Sequence, residues 1–234
     1  MKLKELKFVD FEKDKKYDFI FPIGSTEQHG SFIPFGTDTY ITDYLVDKIS
    51  KEFPKIITIP TLEYSRSQEH RGFYGTIWLT EETLERVMFD VCSSLKDKAR
   101  NIFITSFHAN DRIIEKFIKE NNFDNVKIIN LEMISEDDDK YVEEKILKGP
   151  FDDHAGNSEI SNMIVINKKL VKIPPKDFLK NKIDNPWETD NLIEKSSTGI
   201  VDNHSDWVIS SKIGKKILDV YSKRIIINLK NYLH

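Results

Sequence analysis

A single cysteine, Cys92, stands in 234 residues, which rules out an intramolecular disulfide and suits a reducing compartment. No window reaches the ~18 apolar residues of a membrane span. The opening residues, Met1-Lys2-Leu3-Lys4-Glu5-Leu6-Lys7, lack the apolar stretch of a signal peptide. Positive charge is not in excess either. The net charge is −4 with the signs mixed, so there is no basic field for nucleic acid. Gly24 and Gly36 make no dinucleotide fingerprint, which argues against a nicotinamide cofactor. Internal repeats, low-complexity linkers and breaks in composition are also missing. What remains is the expectation of a soluble, cytoplasmic protein of one domain, residues 1–234, with neither membrane nor nucleic acid as partner.

The apolar fraction is 39% and includes 15 phenylalanines, enough for one substantial core. Apolar runs predict strands at Tyr17–Ile23, Lys55–Ile59, Asn101–Thr105 and Val126–Leu131. Between them, apolar residues recur at helical spacing: Ile41, Leu45, Ile49 and Phe53, then Leu84, Val87, Met88, Val91 and Leu95. Ile113, Ile114, Phe117 and Ile118 mark a third helix. Thr80 is its predecessor's expected N-cap, with Glu81 and Glu82 suiting the positive helix end. Strands alternating with helices predict an α/β fold with a mostly parallel sheet, helices on both faces. Further on, a helix is expected from Ser135 to about Leu147, and another through Ile213, Ile217, Val220 and Tyr221. The irregular segment Ile173–Gly199 reads as a lid, a binding loop or an oligomer contact. The acidic run Glu136–Asp139 lacks the spacing of a calcium loop and reads as a solvated helix start. Cys92 falls in an apolar stripe and is expected to pack inertly.

The chemistry gathers at the end of the first strand. Glu27 and His29 are two apart, so extended backbone sends both side chains to one side. Asp38 follows Gly36 just ahead of a helical pattern. Carboxylates and an imidazole thus meet where a strand hands over to a helix, the place where open α/β sheets put their sites. Divalent cations want that ligand mixture. His108 closes the third strand, and parallel strands end on a shared edge, so it can join them. His154 precedes a helix that would carry Glu159 on its first turns. Taken singly, each has an ordinary explanation: a solvated strand end, a helix cap at Asp38, or a hydrogen-bonded core histidine at His108.

Their order along the chain carries more. Gly24-Ser25-Thr26-Glu27-Gln28-His29-Gly30 with Pro34-Phe35-Gly36-Thr37-Asp38 resembles the N-terminal signature of the creatininase family of metal-dependent amidohydrolases. Glu69-His70 with Phe73, Gly75 and Thr76 is similar to that family's Glu-His…Phe-Gly-Thr segment. Phe107-His108-Ala109-Asn110-Asp111 sits where the family usually has Gly-His-Gly-Gly-Asn or a close relative. Asp153-His154-Ala155-Gly156-Asn157-Ser158-Glu159 matches its His-Ala-Gly…Glu motif, and Thr198–Val201 through Leu218 its Gly-rich turn and final helix.

The resemblance implies a three-layer αβα fold and a two-metal site that hydrolyses C–N bonds. Carried over by motif, Glu27, His29, Asp38, His108 and Glu159 become ligands of two divalent ions per chain, with Asp38 bridging. Zinc, manganese or iron would suit such a set. His154 becomes the catalytic acid or base. Glu69, His70, Phe32 and Asn110 become candidate substrate contacts. Three positions depart from the family pattern: Phe32 replaces a frequent His, Asn110 a carboxylate ligand, and Asn157 a common Glu. Trp187 is the candidate for the lid tryptophan of a creatinine hydrolase. The implied substrate is a small cyclic amide, a formamide or a related molecule. A formamide hydrolase acting on a pyrimidine nucleotide intermediate of flavin or deazaflavin synthesis is the alternative. A metal-binding member that has lost catalysis and serves binding or assembly is the reading from another class. The resemblance also implies a homo-oligomer, commonly a hexamer.

Overall fold

The structure, a computed structural model, describes residues 1–149, 152–178 and 188–233. Strand β1 (Tyr17–Ile23) is buried along its whole length, and β3 (Ala99–Ser106) at all but one position. Continuous burial around the apolar centres Phe19–Phe21 and Ile102–Ile104 is what a strand covered on both faces shows. With β2 (Ile57–Thr58) and β4 (Lys127–Asn130) they form one parallel sheet in the order β2-β1-β3-β4. Phe19 stands opposite Ile57 on one side and Ile102 on the other. The expected strand over Lys55–Ile59 contributes only two residues to the ladder. On its outer side the Thr58 amide donates to the Met1 carbonyl, covering an edge that would otherwise stay open.

The pleat sorts the side chains between two layers. Phe19, Phe21, Ile23, Ile102 and Ile104 go to one face, where α2 (Glu81–Leu95) brings Leu84, Met88 and Cys92, and α3 (Asp111–Glu120) brings Ile113, Ile114 and Phe117. Ile20 and Phe103 go to the other, against α1 (Thr37–Glu52), α5 (Asn157–Asn167) and α6 (Ser211–Lys230). The three-layer αβα expectation is met. Local signals set the ends: Thr80 Oγ1 accepts the Thr83 amide, and Ser210 Oγ accepts that of Ile213.

The helix expected from Ser135 is α4 (Glu136–Tyr141), begun by a reciprocal Ser135–Asp138 cap and continued by π-helical turns to Leu147. A small antiparallel pair, β5 (Asp152–His154) and β6 (Val201–Asp202), carries His154. Trp187 and most of the segment around it lie outside the described residues, so the lid expectation is left there. Among the described residues no helix is long and apolar enough to cross a membrane.

Candidate metal centre

The loop after β1 is folded back on itself, which is what turns a strand end into a ligand platform. The Glu27 amide donates to the Phe35 carbonyl, and the Gln28 amide to Thr76 Oγ1. Gly24 is needed where that loop crosses the start of α1, because a Cβ there would lie 2.2 Å from Thr39 Oγ1. Asp38 sits in the first turn of α1, where the helix end favours a carboxylate. Glu159 occupies the first turn of α5 and accepts the Ala155 amide at 2.6 Å. His108 arrives on the loop between β3 and α3. All five side chains are buried.

They form two groups that share one residue: Glu27, Asp38 and His108, and His29, Asp38 and Glu159. Asp38 turns one oxygen to each. Its Oδ2 is 3.1 Å from His108 Nδ1, and its Oδ1 is 3.4 Å from His29 Nε2. Glu27 Oε2 lies 3.2 Å from His108 Nδ1, and Glu159 Oε2 lies 3.7 Å from His29 Nε2. The remaining ring nitrogens face backbone carbonyls: His108 Nε2 that of Arg66 at 2.9 Å, and His29 Nδ1 that of Glu27 at 3.1 Å. Such bonds fix the ring and leave the other nitrogen to the cluster, as in metal-ligating histidines.

The electrostatics fit a cation. Three carboxylates converge out of water, a costly arrangement without positive charge between them. Burial works against ionisation of Glu27 and Asp38. The imidazoles of His108 and His70 nonetheless hold Glu27 well below the usual range, and His29 helps hold Asp38 to about 2. Burial likewise works against charge on His29 and His108, yet Asp38 with Glu159, and Glu27 with Asp38, raise them well above an ordinary imidazole. His29 Nε2 is buried with no well-formed hydrogen bond. The donor set, carboxylate with imidazole around a shared carboxylate, suits divalent ions of the zinc or manganese kind.

The other expected residues divide. His154 joins the centre: its Nδ1 is 3.8 Å from Glu27 Oε1, and with Glu27 and His29 it forms a third group of possible ligands. His70 stacks on it with ring centroids 4.5 Å apart, and its Nε2 is 3.4 Å from Glu27 Oε1. Burial pushes His70 down to about 3. Glu69 lines the adjoining cleft but is paired with Arg66 at 2.7 Å. Phe32 does not line that cleft. It is a core residue, edge-on to Phe178 and Trp207. Asn110 does not line it either, being buried at the start of α3 with its amide on Ser106 Oγ. Asn157 bonds Asp202 and the Val208 amide, tying the start of α5 to β6.

Several contributors went unread in the sequence. Ser25 donates to Glu27 Oε2 at 2.7 Å, and Gln28 links His70, His154 and Gly199. The helix start Glu136–Asp139 is largely exposed as expected, and Asp139, itself exposed, also borders the cleft and accepts the Tyr221 hydroxyl at 3.3 Å. The cleft has a volume of about 790 Å³.

The chain belongs to the creatininase family, whose profile, described as creatinine amidohydrolase, matches residues 4–228. Among curated relatives it is similar to a mycofactocin precursor peptide peptidase of Mycolicibacterium smegmatis, 32% identical over 95 residues. That match covers 38% of each chain, so the similarity spans well under half of the relative. A crystal structure of creatinine amidohydrolase (creatininase) superposes with a TM-score of 0.75 at 20% identity, over 98% of this chain and 96% of that one. Two further creatininases, a mutant described as Zn-Zn type and one described as Mn, each superpose at 0.74 with 19% and 20% identity. Each covers 98% of this chain and 97% of the other. At these identities the superpositions establish the fold.

Proposed function

We propose that the chain is one domain over residues 1–234 that holds two divalent ions and hydrolyses the C–N bond of a small cyclic amide, a formamide or a related molecule. One ion would lie with Glu27 and His108, the other with His29 and Glu159, and Asp38 would stand between them. The observation carrying this reading is the division of Asp38, one oxygen toward each histidine. When bound, such ions supply Lewis acidity, lowering the pKa of a water and polarising the scissile carbonyl.

The rest falls to side chains. His154 presents Nδ1 to the cluster, because its Nε2 lies 2.8 Å from the Gln28 carbonyl and donates to it. It can therefore take a proton from the attacking water and pass it to the departing nitrogen. Glu69 and His70 border the space in which that substrate would sit. Zinc, manganese or iron would meet the ligand requirement. A cytoplasmic homo-oligomer, a hexamer by family resemblance, belongs to the same reading.

A second substrate reading has its own support. The curated relative is named a peptide peptidase, and a cleft of about 790 Å³ lies toward the upper end of the usual range for small-ligand sites. The scissile amide would then belong to a short peptide. Elemental analysis of the purified, reconstituted protein should give near two equivalents of metal per chain. His154→Ala should lower turnover by about 10²–10⁴-fold with metal content unchanged. Loss of metal in that variant would instead make His154 a ligand. Parallel panels of cyclic amides with formamides and of short peptides decide the substrate. Turnover confined to peptides would overturn the small-amide reading.

A further inference from the structure

Gln28 lies between two proposed ligands and is buried, yet it faces neither group of ligand atoms. Its side chain is a planar amide whose orientation two backbone groups decide. Oε1 accepts the Gly30 amide at 3.0 Å, and Nε2 donates to the Gly199 carbonyl at 3.0 Å. The reversed amide would set NH₂ against an N–H and oxygen against a carbonyl, so only one orientation satisfies both. Gly199 permits this approach. It has φ of +72°, and a Cβ there would lie 1.8 Å from Gln28 Oε1.

One amide hydrogen therefore remains, and the nitrogen that carries it is 2.9 Å from His70 Nδ1. His70 Nδ1 must accept it, which places the His70 proton on Nε2, the nitrogen 3.4 Å from Glu27 Oε1. His154 Nε2 is also 2.9 Å from the same amide nitrogen but spends its proton on the Gln28 backbone carbonyl at 2.8 Å. Its Nδ1 then faces Glu27 Oε1 with a lone pair, 3.8 Å away. Both stacked rings share one tautomer, but they present opposite nitrogens to the same carboxylate oxygen.

We propose that Gln28 is a positioning residue whose side-chain amide makes His70 a hydrogen-bond donor toward Glu27, while its backbone carbonyl leaves His154 a proton acceptor at the centre. The assignment rests on the functional reading above for its role in turnover, but not for the tautomers themselves. A hydrolysis needs both directions of proton movement, from the attacking water and to the leaving nitrogen. His154, bare at Nδ1, can take the first proton and return it to the leaving nitrogen, while neutral His70 keeps its Nε2 proton and steadies Glu27 Oε1.

The test is nitrogen-15 NMR of the histidine side chains in metal-free and zinc-loaded protein. The expected result is a protonated Nε2 and a bare Nδ1 on both His70 and His154. A protonated Nδ1 on neutral His70 in the unaltered protein overturns the proposal, and that measurement needs no variant to fold. Gln28→Glu replaces the donor with an acceptor, so the His70 Nδ1 resonance should move to its protonated position while His154 stays. Turnover should fall about 10²-fold with KM within about twofold and metal content unchanged. The same loss of turnover with the His70 tautomer unmoved would mean a merely structural role and would also overturn it. Correct tautomers in a protein that hydrolyses no amide would sink the functional reading and leave the donor–acceptor assignment standing.

Discussion

The two faces of the sheet bury different things. Helices α2 and α3 bury only apolar residues: Leu84, Met88 and Cys92 from one, Ile113, Ile114 and Phe117 from the other. Opposite them, α1 buries Thr37, Asp38, Thr39 and Thr42, and α5 buries Asn157, Glu159, Ser161 and Asn162. Buried polar groups need partners, and several of these find them, although the Asn162 side chain makes no hydrogen bond among the described residues. Thr39 bonds the Ser25 carbonyl, Thr42 Oγ1 accepts the Phe107 amide, and Asn157 bonds Asp202. The first face is a packing layer. The second delivers Asp38 and Glu159 from helix first turns onto the strand ends, and its polar contacts hold those turns in place.

Removing the residue on which the site face converges should have the largest effect. Asp38→Ala takes away the only side chain common to both ligand groups of the proposed pair of ions. Both equivalents of metal should be lost together, and turnover should drop to background, beyond the loss expected for a proton-transfer group. Elemental analysis decides it, and retention of one full equivalent would refute the bridging role.

The converse substitution lies across the sheet. Leu84 is fully buried in the α2 layer, and Leu84→Ala should cost about 2–5 kcal/mol of stability through lost contacts and a residual cavity. Denaturant melts should record that loss while metal content stays as in the parent. If metal and stability fell together, the two faces would not be separable, and the contrast drawn between them would fail.

How far the sequence could be read follows from the same contrast. The packing layer was legible because Leu84, Met88, Ile113 and Phe117 repeat at helical spacing, and Thr80 announces its helix. The strands were legible from their apolar runs, although only Ile57–Thr58 of the expected second strand joins the ladder, and the cover Met1 gives its outer edge left no local signal. The five proposed ligands were named only because a family resemblance supplied their company; periodicity does not report buried carboxylates. Asp139 is solvated as expected, but its place at the cleft had no local signal because its partner Tyr221 is 82 positions away. Phe32 was placed in the pocket by analogy with a histidine, but an aromatic ring there finds Phe178 and Trp207 and joins the core. Gln28 gave no signal, since its partners come from three distant segments.

The smallest effect sharpens the contrast by pH. His29 and His108 are held well above an ordinary imidazole, burial opposing their charge and the facing carboxylates outweighing it. In the ion-free protein both therefore keep their protons past neutrality. Ions of the proposed kind require those nitrogens bare, so uptake must release protons. The ion-free state binds more protons than the loaded state, and raising the pH consequently favours loading. Affinity should climb through neutrality by about tenfold per pH unit for each proton released, equivalent to about 1.4 kcal/mol. Calorimetric titration in buffers of different ionisation enthalpy counts those protons, and on the order of two per chain are expected. Zero net release would mean that His29 and His108 were already neutral, and the charge balance drawn for the centre would be wrong. Leu84→Ala should leave the count untouched, because the layer it disturbs buries no ionisable partner of the site.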